Sequence, residues 1–264
     1  MQLRRIILQI DHKVSSLQDY DRSITDRFDY NCYFVWHYLT IAIRKYHFIT
    51  DDTYKQIAIF INLSRDCMNP DPVAQKFFYS LDADIRVNKD EFDKYLNEKD
   101  PVNRYEFYLS CLERGYAYIN KHKEIPIDLL LGLHEEFRKN GYKNERLFKQ
   151  LCVRPFGMKV VMTKVLTTSE FNLRIQAFAI KTGALLCEGS VFRTMPDDIF
   201  YADRAQKAEI KDNKLVIIGF LSRPFFKVDL QKLANGVLEV EYLDDFFNEE
   251  KQKEYDEGIK GLIW

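Results

Sequence analysis

Between Gln2 and about Leu151 the apolar residues recur every three or four positions, the spacing of one helix face. Cys32, Val35, Trp36, Leu39 and Ile43 form one such stripe. Tyr54, Ile57, Ala58 and Ile61 form another, and Thr50-Asp51-Asp52 before them offers a cap oxygen and negative charge for a first helical turn. Asp100-Pro101 is a helix start, a cap followed by a proline whose missing N–H costs nothing. The helix it opens is expected to bury Phe107, Cys111 and Tyr118, with Leu112 a further candidate. Pro126 opens another, with Leu129, Leu130, Leu133 and Phe137 facing inward and Asn140-Gly141 closing it. This reading gives six or seven helices joined by short polar connections.

After Cys152 the period shortens to two. Phe171, Leu173, Ile175, Ala177 and Ala179 alternate with Asn172, Arg174 and Gln176, as a half-buried strand requires. Lys181-Thr182-Gly183 turns the chain into a returning strand at 184–194. Asp212-Asn213 marks a second hairpin, since both residues tolerate a left-handed backbone. Residues 158–166 and 237–243 supply two more strands, and 195–205 is the one long irregular stretch. Successive hairpins predict an antiparallel sheet. The fold class is therefore α+β: an N-terminal helical domain over 1–152, then an antiparallel β-sheet domain over 153–264 that ends in an acidic helix. Arg154-Pro155-Phe156-Gly157 is the only break between them.

Composition narrows the class. The 264 residues carry 39 Lys+Arg and 40 Asp+Glu, with 30% charged and 46% hydrophobic side chains. That is too apolar for disorder and too balanced for a polyanion-coating protein, so nucleic acid is not an expected partner. The opening MQLRRIILQI has no signal-peptide core of the ~7–15 apolar residues such a segment needs, and no stretch reaches the ~18 of a membrane-spanning helix. Cys32, Cys67, Cys111, Cys152 and Cys187 lie far apart without a CxxC pair, as reduced packed thiols do. A cytoplasmic protein that does not bind membranes is expected.

No reaction is fixed by a motif. All five histidines lie in the first half. His134-Glu135-Glu136 begins like a zinc-protease helix, but Arg138 stands where the second ligand belongs, so His134 is expected at a helix surface. No nucleophile elbow, dinucleotide fingerprint or phosphate loop occurs, and no cofactor is expected. Pro196-Asp197 followed by Glu209-Ile210-Lys211 resembles the signature of the PD-(D/E)xK nucleases over about sixteen residues. That resemblance implies a metal-dependent nuclease, with a divalent cation held by Asp197 and Glu209 and with Lys211 near the attacking water.

Charge along the chain points elsewhere. Residues 151–238 hold 13 basic and 8 acidic side chains, whereas 239–264 hold 3 basic and 9 acidic. A mildly basic sheet thus precedes an acidic segment containing Asp244, Asp245, Phe246, Phe247, Glu249, Glu250 and Glu254. That segment either folds against its own sheet or docks a basic partner. The expectation is a non-catalytic protein-binding or inhibitory protein, of the immunity or antitoxin kind, with the nuclease as the alternative.

Overall fold

A computed structural model describes residues 1–11, 20–63, 73–75, 79–202, 204–243 and 248–263. The chain divides into two compact units, 1–143 and 144–263.

The first unit contains β1 (Arg5–Ile10), α1 (Arg22–Arg44), β2 (Gln56–Asn62), β3 (Val73–Gln75), β4 (Ser80–Arg86), α2 (Lys89–Asn97), α3 (Pro101–His122) and α4 (Ile127–Lys139). Its sheet runs β1-β2-β4-β3, with β1, β2 and β4 parallel and β3 antiparallel. Register aligns Ile6, Ile57 and Leu81, then Leu8, Ile59 and Ala83, then Ile10, Ile61 and Ile85, in three buried apolar rows. The N-terminal half is therefore not helical throughout. The stretch carrying Tyr54, Ile57, Ala58 and Ile61 is a strand from Gln56 onward. A parallel strand is covered on both faces, so Ile57, Ala58 and Ile59 are all buried and the run loses its period-two alternation. The Asp51 carboxylate caps a turn rather than a helix, accepting from the Thr53 N–H and hydroxyl at 3.2 and 2.7 Å.

The expected helix signals around it hold. Asp100 accepts from the Val102 N–H at 2.9 Å with Pro101 at the first helical position of α3. Along α3 the buried stripe is Tyr108, Leu109, Leu112, Tyr116 and Ile119 with Cys111, while Phe107 and Tyr118 are half-exposed. Gly115 lets α3 approach the sheet: a Cβ there would lie 2.4 Å from the Ile59 Cδ1.

Among the described residues parallel strand β1 pairs with a strand, β2, on one side only, and α1 seals the other. The Thr40 hydroxyl accepts from the Ile6 N–H and donates to the Ile6 carbonyl, both at 2.9 Å. The Cys32 thiol donates to the Leu8 carbonyl at 3.2 Å, and an Asp29 oxygen accepts from the Ile10 N–H at 2.9 Å. Side chains of one helix thus take the place of a missing neighbouring strand.

The second unit is antiparallel, as the hairpin signals predict. β5 (Asn144–Val153), β6 (Met158–Leu166), β7 (Phe171–Ala179) and β8 (Leu185–Thr194) form a meander. β9 (Lys207–Lys211), β10 (Lys214–Ile218), β11 (Pro224–Asp229) and β12 (Val240–Tyr242) form a second sheet, ordered β12-β11-β10-β9. α5 (Asp198–Tyr201), α6 (Leu230–Ala234) and α7 (Glu249–Leu262) complete the unit. The two sheets meet through Phe192 and Phe226, stacked with centroids 4.8 Å apart. Within 195–205, Tyr201 stacks on Phe171 at 3.9 Å. Strand β5 opens this unit at Asn144, ahead of the expected change of texture near 152. A bulge between Leu147 and Lys149 breaks its alternation, so its spacing reads as irregular.

Candidate protein-binding surface

Helix α7 builds the candidate surface. Asn248 caps it by accepting from the Lys251 N–H at 2.9 Å, and Glu249 and Glu250 occupy the first turn, where the helix dipole favours carboxylates. Tyr255, Ile259 and Leu262 recur at helical spacing and are buried. Tyr255 meets Phe200 edge-on with centroids 5.9 Å apart and lies under the Arg204 guanidinium. Gly258 sits against the Met195 thioether, where a Cβ would approach the sulfur to 3.2 Å.

Polar contacts fix the register of this docking. The Gln252 amide accepts from the Arg193 N–H at 3.3 Å and donates to the Arg193 carbonyl at 3.0 Å. Arg193 lies on β8, the outer strand of its sheet among the described residues, so Gln252 satisfies backbone groups that no described strand pairs. The same amide also donates to Asp256 at 3.0 Å, and Asp256 lies 3.9 Å from the Arg193 guanidinium, which Glu170 also holds.

The remaining carboxylates of α7 do not share this face. Glu250, Glu254 and Glu257 lie on the side of the helix opposite Gln252 and Ile259, and Glu249 flanks it; Glu249, Glu250, Glu254 and Glu257 are all exposed. Glu254 and Glu257 pair with Lys251 and Lys260 of the same helix. Glu249 and Glu250 form no ion pair with a described residue. Burial and the charges of Glu249 and Asp256 together push the Tyr242 hydroxyl pKa upward. Asp244, Asp245, Phe246 and Phe247 lie outside the described residues. Docking through Gln252 was not visible in the sequence, because a glutamine on a helix carries no signal for a strand edge.

The alternative site residues sit on different elements. Asp197 is half-buried after β8, with its N–H on the Met195 carbonyl at 2.9 Å. Glu209 and Lys211 share one face of β9, and Glu209 pairs with Lys207 at 2.5 Å. Lys211 stands opposite Lys214, where Asp212 and Asn213 turn the chain with φ of 51° and 58°. Among the described residues no group of three or more His, Cys, Asp or Glu side chains could hold a metal ion.

One titratable cluster lies in the first unit, and it corrects the placement of His134. That imidazole is fully buried between α3 and α4, not at a helix surface. Its Nδ1 lies 2.9 Å from a Glu113 oxygen. Position 134 falls on the same stripe as Leu130 and Phe137, so the helix period places it inside. Beside it Arg138 bonds Glu106 with two nitrogens at 2.9 and 2.7 Å and reaches Glu113 at 3.0 Å. Tyr142 donates to Glu106 at 2.5 Å. Arg138 is the main cause holding the Glu106 carboxyl below its ordinary range, and His134 leads for Glu113, with Arg138 adding to it. Burial, aided by Glu106, pushes the Tyr142 hydroxyl up to about 12. Every charge here is answered by a neighbour on the same two helices or just after them, which is the pattern of a packing clamp.

No family model, curated protein or solved structure matches the chain. Among the described residues no helix is long and apolar enough to cross a membrane.

Proposed function

We propose that this chain is a non-catalytic cytoplasmic protein-binding protein of the inhibitory, toxin-neutralising kind, which docks a basic partner on the outward face of α7. The observation that supports this reading is the division of labour on that helix. Tyr255, Ile259, Leu262, Gln252 and Asp256 attach it to its own unit, so Glu249, Glu250 and Glu254 are not needed to hold it. Carboxylates concentrated on an exposed helix start create a local negative potential that steers cationic surfaces and weakens with salt.

The test uses the full chain and a variant carrying Glu249→Lys, Glu250→Lys and Glu254→Lys as baits in native lysate. The reading expects the wild type to retain a basic protein whose activity falls on binding, and expects the variant to lose it. A partner retained equally by both baits contradicts the reading.

A further inference from the structure

The outer strand of a sheet presents a row of unpaired backbone groups. On that side β1 has Thr40, Cys32 and Asp29, and β8 has Gln252. β3 and β12 are three residues long and β9 five, too short to offer much of a template. β5 is different. It runs for ten residues at the end of the order β5-β6-β7-β8, the edge opposite the one that Gln252 of α7 meets. Outside its ladder with β6, residues 147–152 make no hydrogen bond with a described residue. In an antiparallel pair alternate residues turn their N–H and C=O away from the partner, so this stretch leaves peptide groups open along its outer side. Glu145, Leu147, Lys149, Gln150 and Cys152 are exposed, Leu147 at 64%.

The same edge is cationic. Lys143, Arg146, Lys149 and Arg154 stand on or beside β5 against one acid, Glu145. Glu145 is already paired with Arg174 of β7 at 3.2 Å. Lys143, Lys149 and Arg154 are exposed and form no ion pair with a described residue. A second copy of this strand is the wrong occupant, because two such edges repel one another and the bulge between Leu147 and Lys149 bends each away from a straight twin. A nucleic-acid strand would answer the charge, but it has no repeating N–H and C=O with which to continue a ladder.

We infer that β5 is the docking edge for an extended, acidic segment of another protein, which adds a fifth strand to this four-stranded sheet and sets aspartate or glutamate side chains beside Lys149 and Arg154. Main-chain hydrogen bonds to the open peptide groups supply the affinity, and the unpaired cations select an acidic sequence over a basic one. This surface goes beyond the outward face of α7, which belongs to the other edge of the sheet and takes a partner of opposite charge.

Three blocked peptides of about eight residues, the length of a long strand, are titrated against the full chain. One alternates glutamate with valine, one alternates lysine with valine, and the third is the glutamate peptide with its backbone nitrogens methylated. The glutamate peptide is expected to bind about tenfold or more tighter than either of the others. Its amide resonance shifts are expected at residues 147–152 and not along α7. Lys149→Glu with Arg154→Glu is expected to reverse the preference between the first two peptides and to leave the melting temperature nearly unchanged, since both side chains are exposed. The methylated peptide needs no variant, so the main-chain arm of the test stands even where the double variant fails to fold. Equal affinity for the glutamate peptide and its methylated form overturns the inference, as does a charge preference that survives the double variant. Tighter binding of an oligothymidylate than of the glutamate peptide assigns the edge to nucleic acid, and a wild-type dimer with protected β5 amides assigns it to a second copy; either result overturns it too.

Discussion

The Thr40 hydroxyl occupies both backbone groups of Ile6 at once, accepting from its N–H and donating to its carbonyl at 2.9 Å. Gln252 does the same for Arg193 in the other unit, at 3.3 and 3.0 Å. Each contact lets a helix side chain stand in for a strand, which closes a sheet edge that would otherwise recruit another chain.

Replacing Thr40 by valine keeps the shape and removes the hydroxyl, leaving two buried backbone groups of Ile6 without a partner. Each such group costs about 1–3 kcal/mol. Thr40→Val is therefore expected to destabilise the protein by roughly 2 kcal/mol or more, and Thr40→Ser to cost much less, in urea unfolding. Equal losses from the two substitutions would assign the effect to packing instead.

Gln252→Ala frees the Arg193 backbone and weakens the seat of α7. Hydrogen exchange is expected to quicken at the Arg193 amide and along α7, by about 5- to 150-fold for a loss of about 1–3 kcal/mol. Exchange in the first unit should not change. Uniform acceleration across both units would show a global loss of stability rather than a local undocking.

Glu106 and Glu113 have folded-state carboxyl pKa values below their ordinary values. A depressed carboxyl adds stability above its unfolded pKa, about 4.3, and loses it as pH falls through the folded value. Stability should accordingly decline below about pH 5, and the gap between the wild type and Arg138→Met should shrink over that range. A gap of the same size at neutral and strongly acid pH would rule out this origin. At the alkaline end the sign reverses: Tyr142, raised to about 12, contributes below its unfolded value, near 10, and is lost as pH rises through 12.

Gly115→Ala places a methyl 2.4 Å from the Ile59 side chain, and overpacking of this kind costs about 1–3 kcal/mol. Pairing it with Ile59→Val, which removes the crowding methyl, should recover part of that loss in a double-mutant cycle. Strict additivity of the two changes would mean that α3 and β2 do not touch there.

What could be read in advance follows from how each element is buried. α3 and α4 each have one wet face, so their stripes show in the sequence, whereas α1 has no exposed residue from Ile24 to Ile43 and its stripe is only part of what it buries; β7 alternates because one face of its sheet is covered. Ile57, Ala58 and Ile59 are buried together in a parallel strand, and no spacing rule separates that run from a short core helix. β5 escaped because its bulge near Phe148 shifts the alternation. Glu249, Glu250 and Glu254 were legible as charge; that they take no part in seating α7 was not, since that depends on which face of the helix is buried.

The proposed role of the outward carboxylates of α7 is to bind a basic protein. The direct measurement is the affinity of the captured partner for the wild type and for the Glu249→Lys, Glu250→Lys, Glu254→Lys chain, at low and at physiological salt. Wild-type binding is expected to weaken about tenfold or more between the two salts and to be lost in the variant. Affinity that neither salt nor charge reversal moves would contradict it.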